Sequence, residues 1–473
     1  MLRPGKILII SFKATMKYII LIIAISSLPF SSLAQDGWQE LTNGKDLKGW
    51  KKLNGTAEYE VKDGVITGTS RMGTPNTFLA TEKDYSDFIL EFSVKVDNKL
   101  NSGVQIRSLS KADYQNGRVH GYQVEIDPSP RSYSGGIYDE ARRMWLYPLA
   151  VNSKGQDAFK TGDWNKFRVE AIGDKIRTWI NGVMCANLVD DLTQEGFIAL
   201  QVHSINDPSQ AGTKVSWKNL RIMTENLEAN SWAVDPEVRE ISYLKNRLTQ
   251  WEERKGFRLL WDGKTSSGWR GAKLDKFPDS GWEINDGVLT IIGTEGSESA
   301  GPGDIITLDQ YADFELELEF NITEGANSGI KYFVDPEMNK GPGSAIGCEF
   351  QILDDAKHPD AKKGVQGNRT VGSLYDLITS RNLSNPDGAK ERLFKGIGNW
   401  NKARVVSKNG KVEHWLNNEK VVEYDRFSQM FEALVNYSKY RDWPDFGRWP
   451  QGHILLQDHG NTVHFRSIKI REL

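Results

Sequence analysis

Cysteine is almost absent. The 473 residues hold two, Cys185 and Cys348, one in each half. Neither a disulfide framework nor a cysteine-based zinc site is indicated. Long runs of one charge are missing too, and the net charge is −3, which argues against a nucleic-acid partner. No glycine-rich phosphate loop occurs, and no serine sits in a nucleophile elbow. Helical periodicity is scarce. Hydrophobic residues make up 38% of the chain, somewhat low but compatible with globular folding.

What the chain has in abundance is tryptophan, 15 residues, and glycine, 44. That pairing suits a β-rich protein that handles sugars, because indole faces stack on pyranose rings and glycine permits tight turns. One apolar run stands near the N-terminus, in "MKYIILIIAISSLPFSSLAQ", which begins at Met16. A single Lys, an apolar core and small residues before Ala34 read as a secretory signal cleaved after Ala34. Met16 is then a candidate start. The run is short and broken by Pro29, so no membrane span is expected after cleavage, and the mature protein is expected to be periplasmic or secreted.

The rest is written twice. "GWQELTNGKDLKGW" (37–50) returns as "GFRLLWDGKTSSGW" (256–269), and "YSDFILEFSVKVDNKLNSGVQIR" (85–107) as "YADFELELEFNITEGANSGIKYF" (311–333). "GDWNKFRVEAIGDKIRTWING" (162–182) returns as "GNWNKARVVSKNGKVEHWLNN" (398–418), and "FIALQVHS" (197–204) as "HILLQDHG" (453–460). The order is unchanged, which implies tandem copies at 36–224 and 256–473. Each copy alternates apolar and polar residues in strands. Asn181-Gly182 and Asn417-Asn418 mark hairpins. The expected fold class is all-β, two jelly-roll β-sandwiches. Between them, Val238, Ile241, Leu244, Leu248 and Trp251 recur at steps of three and four, with Asp235 as N-cap, Pro236 at N1 and Gly256 at the end. This spacing predicts an amphipathic helix over 235–255 within a linker at 225–255.

One strand is unusual. "GCEFQILDD" (347–355) places Cys348, Phe350 and Ile352 on a core face and Glu349 and Gln351 on the other. The first copy has "GYQVEIDP" (121–128), with Gln123, Glu125 and Asp127 on that face. Both copies therefore place a glutamate and a glutamine side by side, in swapped order. Neighbouring stretches add Lys331 and Phe333, or Gln105 and Arg107, to the outward face; they also add Tyr375 with Asp376, or Tyr138 with Asp139. Gln457 with Asp458 and His459 stands where the first copy has Gln201 and His203. "HPDAKKGVQGNRT" (358–370) supplies His358 and Arg369 and is absent from the first copy.

Together, "LLWDGKTSSGW", "NSGIKYF", "GCEFQILDD", "HPDA", "GNRT", "GSLYDL", "WNKARVV" and "HILLQDHG" resemble the 3-keto-disaccharide hydrolase domain family, from about residue 36 to the C-terminus. The resemblance implies concanavalin A-like sandwiches with a sugar site on the concave sheet. It implies cleavage of glycosides already oxidised at C3, hence a functional link to a sugar 3-dehydrogenase. The positions carried over are Lys331, Glu349, Gln351, Asp354, Asp355, His358, Arg369, Tyr375 and His459 in the second copy, beside Gln457 read from the strand itself. In the first copy they are Arg107, Gln123, Glu125, Asp127, Tyr138 and His203. A C3 ketone acidifies the C2 proton, so cleavage by elimination needs a base, an enolate stabiliser and an acid. Glu349 or His459 is the candidate base, Lys331 or Arg369 the stabiliser, and Tyr375 or the other titratable group the acid. No cofactor is firmly implied; a divalent cation on Asp354, Asp355 and His358 is the one candidate. An ordinary glucanase and a non-catalytic carbohydrate-binding protein remain the rival readings.

Overall fold

Strict alternation in "FELELEFNI" builds the strand Phe314–Ile322, and its apolar members Phe314, Leu316, Leu318, Phe320 and Ile322 are all buried in one core. The same logic runs through both copies. A computed structural model describes residues 37–97, 99–294, 303–380 and 393–473. The expected signal segment at 1–34 lies outside the described residues.

Each copy is a sandwich of two antiparallel sheets. In the first, the inner sheet orders its central strands as His120–Ile126, Ser102–Leu109, Gly196–Val202, Thr77–Tyr85 and Trp50–Asn54. In the second, the order is Ile346–Leu353, Asn327–Asp335, His453–Leu456, Ile305–Thr307 and Trp269–Gly271. The two orders correspond strand for strand, as tandem duplication requires. Opposite each lies a larger sheet, and the apolar side chains between the sheets form one core per copy. The hairpins are as read: Asn181 and Gly182, and Asn417 and Asn418, all take positive φ.

One break in the alternation matters for the site. Ser102–Leu109 and Asn327–Asp335 each carry a bulge, between Ile106 and Leu109 and between Tyr332 and Asp335 in their pairings. Arg107 (φ 45°) and Phe333 (φ 52°) occupy matching places in these bulges. An extra residue in one strand turns the following side chain over. Both were expected outward, and both face inward instead: Phe333 lies in the core and Arg107 is fully buried.

The linker also differs from expectation. Only Gln250–Arg254 is helical within 235–255, started by a reciprocal cap between Thr249 and Glu252. Gly256 does end it, in the left-handed region at φ +86°. The residues before it are turns and irregular chain around one short strand, Ile241–Ser242, which pairs in parallel with Leu188–Val189. The edge of the first sandwich offers unpaired backbone groups, and the linker satisfies them, burying Val238, Ile241 and Leu244 on the way. Tertiary pairing thus overrides the helical spacing.

The linker then reaches the second copy. Arg239 lies 2.7 Å from Glu315 and also pairs with Glu317, two acids on the polar face of Phe314–Ile322. Lys402 donates to the Ser242 carbonyl (2.6 Å), and Asn418 donates to the Leu146 carbonyl (3.1 Å). Residues 38–473 form one compact unit.

Candidate functional site

The inner sheet of the second copy holds a cavity of about 230 Å³. Lys331 and Glu349 stand directly opposite each other on adjacent strands, and Lys331 Nζ lies 3.8 Å from Glu349 Oε2. Glu349 is 4% exposed. Burial raises its pKa, while Lys331 and then Lys439 pull it back. The Gln351 amide, oriented to satisfy its neighbours, donates to Glu349 Oε1 (3.1 Å) and to the Ser328 carbonyl (3.2 Å). The acid–amide pair read from the strand is therefore one hydrogen-bonded unit, aimed into a pocket rather than into bulk water.

Lys331 is itself held. Its ammonium donates to Ser344 Oγ and to the Ala345 carbonyl (3.2 Å), and Ser344 passes a hydrogen bond to Asp304. Asp304 also accepts from the Asp458 backbone (2.9 Å), which fixes the strand end that carries Gln457 and His459 into the cavity.

Tyr375 forms the opposite wall. Its backbone N–H bonds the Glu349 carbonyl (3.0 Å), and its hydroxyl donates to Asp360 Oδ2 (2.7 Å). Burial first, and then this bond to an acid, raises the tyrosine pKa, so the proton stays on the phenol. Burial alone would raise Asp360 as well, but the Tyr375 hydroxyl and Arg369 outweigh it and hold this acid below its usual value. Arg369 is spent on Asp376 (2.7 Å) and Asp360 (3.1 Å), under the Tyr375 ring. It braces the wall and does not line the cavity.

Six expected residues thus meet in one place: Glu349, Lys331, Tyr375, Gln351, Gln457 and His459. His358 lies just behind, its ring 5.8 Å from that of His459. The cation site does not assemble. Asp354 accepts from the Gly325 (2.8 Å) and Ala356 (3.1 Å) backbones, Asp355 from that of Val371 (2.9 Å), and His358 Nδ1 from that of Asp360 (3.2 Å). These groups bind backbone N–H donors, two within local turns and two across to neighbouring loops. Among the described residues no cluster of three or more His, Cys, Asp or Glu has the arrangement to hold a metal ion.

The sequence reading missed Lys439, Tyr440 and Trp443, which line the cavity from an insertion between the strands Glu419–Asp425 and His453–Leu456. The signal was present: "RFSQMFEALVNYSKYRDWPDFGRWPQG" (426–452), dense in aromatics and cations, has no counterpart in the first copy.

The first copy places the matching residues differently. Gln105 and Gln123 replace the Lys331–Glu349 pair and hydrogen-bond each other (2.7 Å). Its acid, Glu125, accepts from Asn101 (2.7 Å) and Gln123 (2.9 Å), and burial with help from Asp127 lifts its pKa to about 8. Asp127 holds Arg131 (2.9 Å), Tyr138 packs edge-on to Trp145, and the His203 ring bonds the Ser204 carbonyl (2.6 Å). Arg107, expected to touch substrate, instead donates to the Ser86 (2.6 Å) and Gly173 (2.7 Å) carbonyls and to Asp87 (2.8 Å), because the bulge turns it inward. A cavity of about 660 Å³ on this copy is lined by Asn76, Phe78, Arg118 and Glu140 among others, and by none of the expected site residues.

With this geometry in view, residues 37–223 and 256–471 each match the 3-keto-alpha-glucoside-1,2-lyase-like domain. The chain belongs to that family. It is 36% identical over 238 residues to the 3-keto-disaccharide hydrolase of Bacteroides thetaiotaomicron, covering 46% of this chain and 79% of that protein. A putative glycosyl hydrolase structure from Parabacteroides distasonis is 28% identical, covering 48% of this chain and 99% of its own, with a TM-score of 0.42. A second such structure from that organism is 24% identical over 46% of this chain and 99% of its own, with a TM-score of 0.33. Family and relative together support a glycosyl-hydrolase-like function.

Proposed function

We propose that the second copy cleaves the glycosidic bond of 3-keto-glycosides by removing the C2 proton. One observation carries this: Glu349 is the one carboxylate among the described residues that line the cavity, and it faces a lysine. A conventional glycosidase flanks the scissile bond with two carboxyl groups. Elimination needs a single base, because the ketone makes the C2–H bond acidic.

In this reading Glu349 takes the C2 proton, and the electron pair forms an enolate with the C3 oxygen. The enolate collapses, forms the C1–C2 double bond and expels the C1 aglycone. The leaving oxygen needs a proton, and in this reading His459, which lines the cavity, gives it, while the Tyr375 hydroxyl donates to Asp360. Water adding at C1, with a proton returned to C2, completes a hydrolysis; release before that step makes the same reaction a lyase. Gln351 holds the Glu349 carboxylate in line.

The first copy lacks the lysine–acid pair, and we read it as a copy without this chemistry. The N-terminal pattern supports export, so the oxidised glycoside is met outside the cytoplasm, downstream of a sugar 3-dehydrogenase. The deciding experiment incubates the mature protein with a 3-keto-disaccharide and with its unoxidised parent. Cleavage of the keto form alone, with C2 deuterium lost to solvent, is expected. Cleavage of the parent at a similar rate would favour the glucanase reading.

A further inference from the structure

The cavity contains a second cation that the elimination scheme has not used. Lys439 stands on the insertion at 426–452, where Ser428 caps Gln429–Asn436 and Ser438 caps the short helix Lys439–Asp442. The insertion is braced from within. Tyr440 stacks on Phe446 with ring centres 4.0 Å apart, and Arg426 donates to the Gly447 (3.1 Å) and Trp449 (2.7 Å) carbonyls. It is also tied to the site itself. The Lys439 backbone N–H donates to Asp376 Oδ2 (3.1 Å), the acid beside Tyr375 that also grips Arg369.

The side chain is exposed as a whole, yet its ammonium lies 4.2 Å from the centre of the Tyr375 ring and faces the cavity. The cations Lys331, Arg369 and Lys439 differ in what they hold. Lys331 donates to Ser344 and Ala345, and Arg369 to Asp360 and Asp376. The Lys439 ammonium has no hydrogen-bond acceptor among the described residues, only the ring faces of Tyr375 and Tyr440. Its donors are available to a ligand in the same cavity as the base. Negative charge moves from the base to the C3 oxygen as the C2 proton leaves, and a preplaced donor at that oxygen lowers the barrier.

Resting on the proposed reaction, we infer that Lys439 binds the C3 carbonyl oxygen of the keto-glycoside and stabilises the enolate. Lys331 is then a positioning residue for Glu349. The insertion becomes the element that makes the second copy selective for a ketone, and its absence from the first copy agrees with that copy's missing lysine–acid pair.

The test uses the full mature chain, a 3-keto-glycoside carrying deuterium at C2, and the variants Lys439→Met and Lys439→Arg. Lys439→Met is expected to melt as the parent does and to lose roughly 10²–10³-fold in kcat. Deuterium loss should slow by the same factor, while affinity for the unoxidised parent glycoside stays near its original value. Lys439→Arg should keep a larger share of the rate. Unchanged kcat in Lys439→Met overturns the inference. So does a variant that still exchanges C2 deuterium but no longer cleaves, which would move Lys439 to the leaving group. An inert wild-type protein overturns the reaction itself, and so is told apart from a failure of Lys439 alone.

Discussion

Gly329 lies beneath the Glu349 carboxylate so closely that a β-carbon there would stand 2.1 Å from Oε1. The first copy repeats the arrangement, with Gly103 under the Gln123 amide at 2.4 Å from Cδ. Each glycine leaves room for a long polar side chain to lie across the neighbouring strand.

The obstructing atoms at Gly329 belong to the far end of a flexible side chain, not to backbone. Gly329→Ala is therefore expected to fold with little loss of stability, while pushing the Glu349 carboxylate off its Gln351 and Lys331 partners. Misplacing a catalytic group by about 1 Å can cost on the order of 10²-fold in rate. Steady-state kinetics beside a thermal melt would show it; full activity would mean that the Glu349 position is unimportant.

Glu349 must be ionised to act as a base, and burial raises its pKa. The acidic limb of kcat/KM should accordingly lie above the ordinary glutamate range. Lys331 is the largest influence opposing that rise. Lys331→Met removes a nearby positive charge, so the carboxylate is harder to form and the limb should move to higher pH. A limb that stays in place in this variant would assign the titration to another group.

Much of this was legible in the sequence, for physical reasons. Duplication showed as recurring stretches, and strict alternation gave the strand faces, so Cys348, Phe350 and Ile352 were placed in the core and Glu349 and Gln351 opposite. Alternation fails where a strand gains a residue. Nothing in "SGVQIR" or "SGIKYF" announces a bulge, since Arg107 and Phe333 adopt a positive φ that neither residue type favours. The linker misled for another reason: steps of three and four suit a helix, but the same apolar residues can be buried by an extended chain that finds a free sheet edge. Lys439 was not legible because the insertion at 426–452 has no counterpart in the first copy, and no strand or helix period sets which of its side chains meet the cavity.

Arg107 offers a check on the bulge. It is buried with three partners, Ser86, Gly173 and Asp87, none of which lines either cavity described above. Arg107→Ala should destabilise the protein by about 2–4 kcal/mol, through lost packing and unpaired carbonyls. Turnover per folded molecule should not change. Loss of turnover at unchanged stability would return Arg107 to the substrate-binding residues.

Glu125 allows the proposed inactivity of the first copy to be tested through pH. Its pKa rises from 4.5 to about 8, first through burial and then through Asp127. Between those values the folded protein keeps a proton that the unfolded chain releases. The folded state thus binds more protons, and stability must fall as pH rises through that window. A tenfold difference in proton affinity between the two states is worth about 1.4 kcal/mol, large enough to read by chemical denaturation. Glu125→Gln puts an amide at the place where the second copy has Gln351 and removes the titrating group. Its unfolding free energy should lose the downward slope between pH 4.5 and about 8, so that it gains on the parent most at the alkaline end. Cleavage of the keto-glycoside should be unaffected, because Glu349, the proposed base, and Lys331, which positions it, lie in the other copy. If Glu125→Gln lowered turnover by the roughly 10²–10⁴-fold expected for losing a general base, the first copy would be a second active site, and the absence of a lysine opposite Gln123 would no longer mark it as inert.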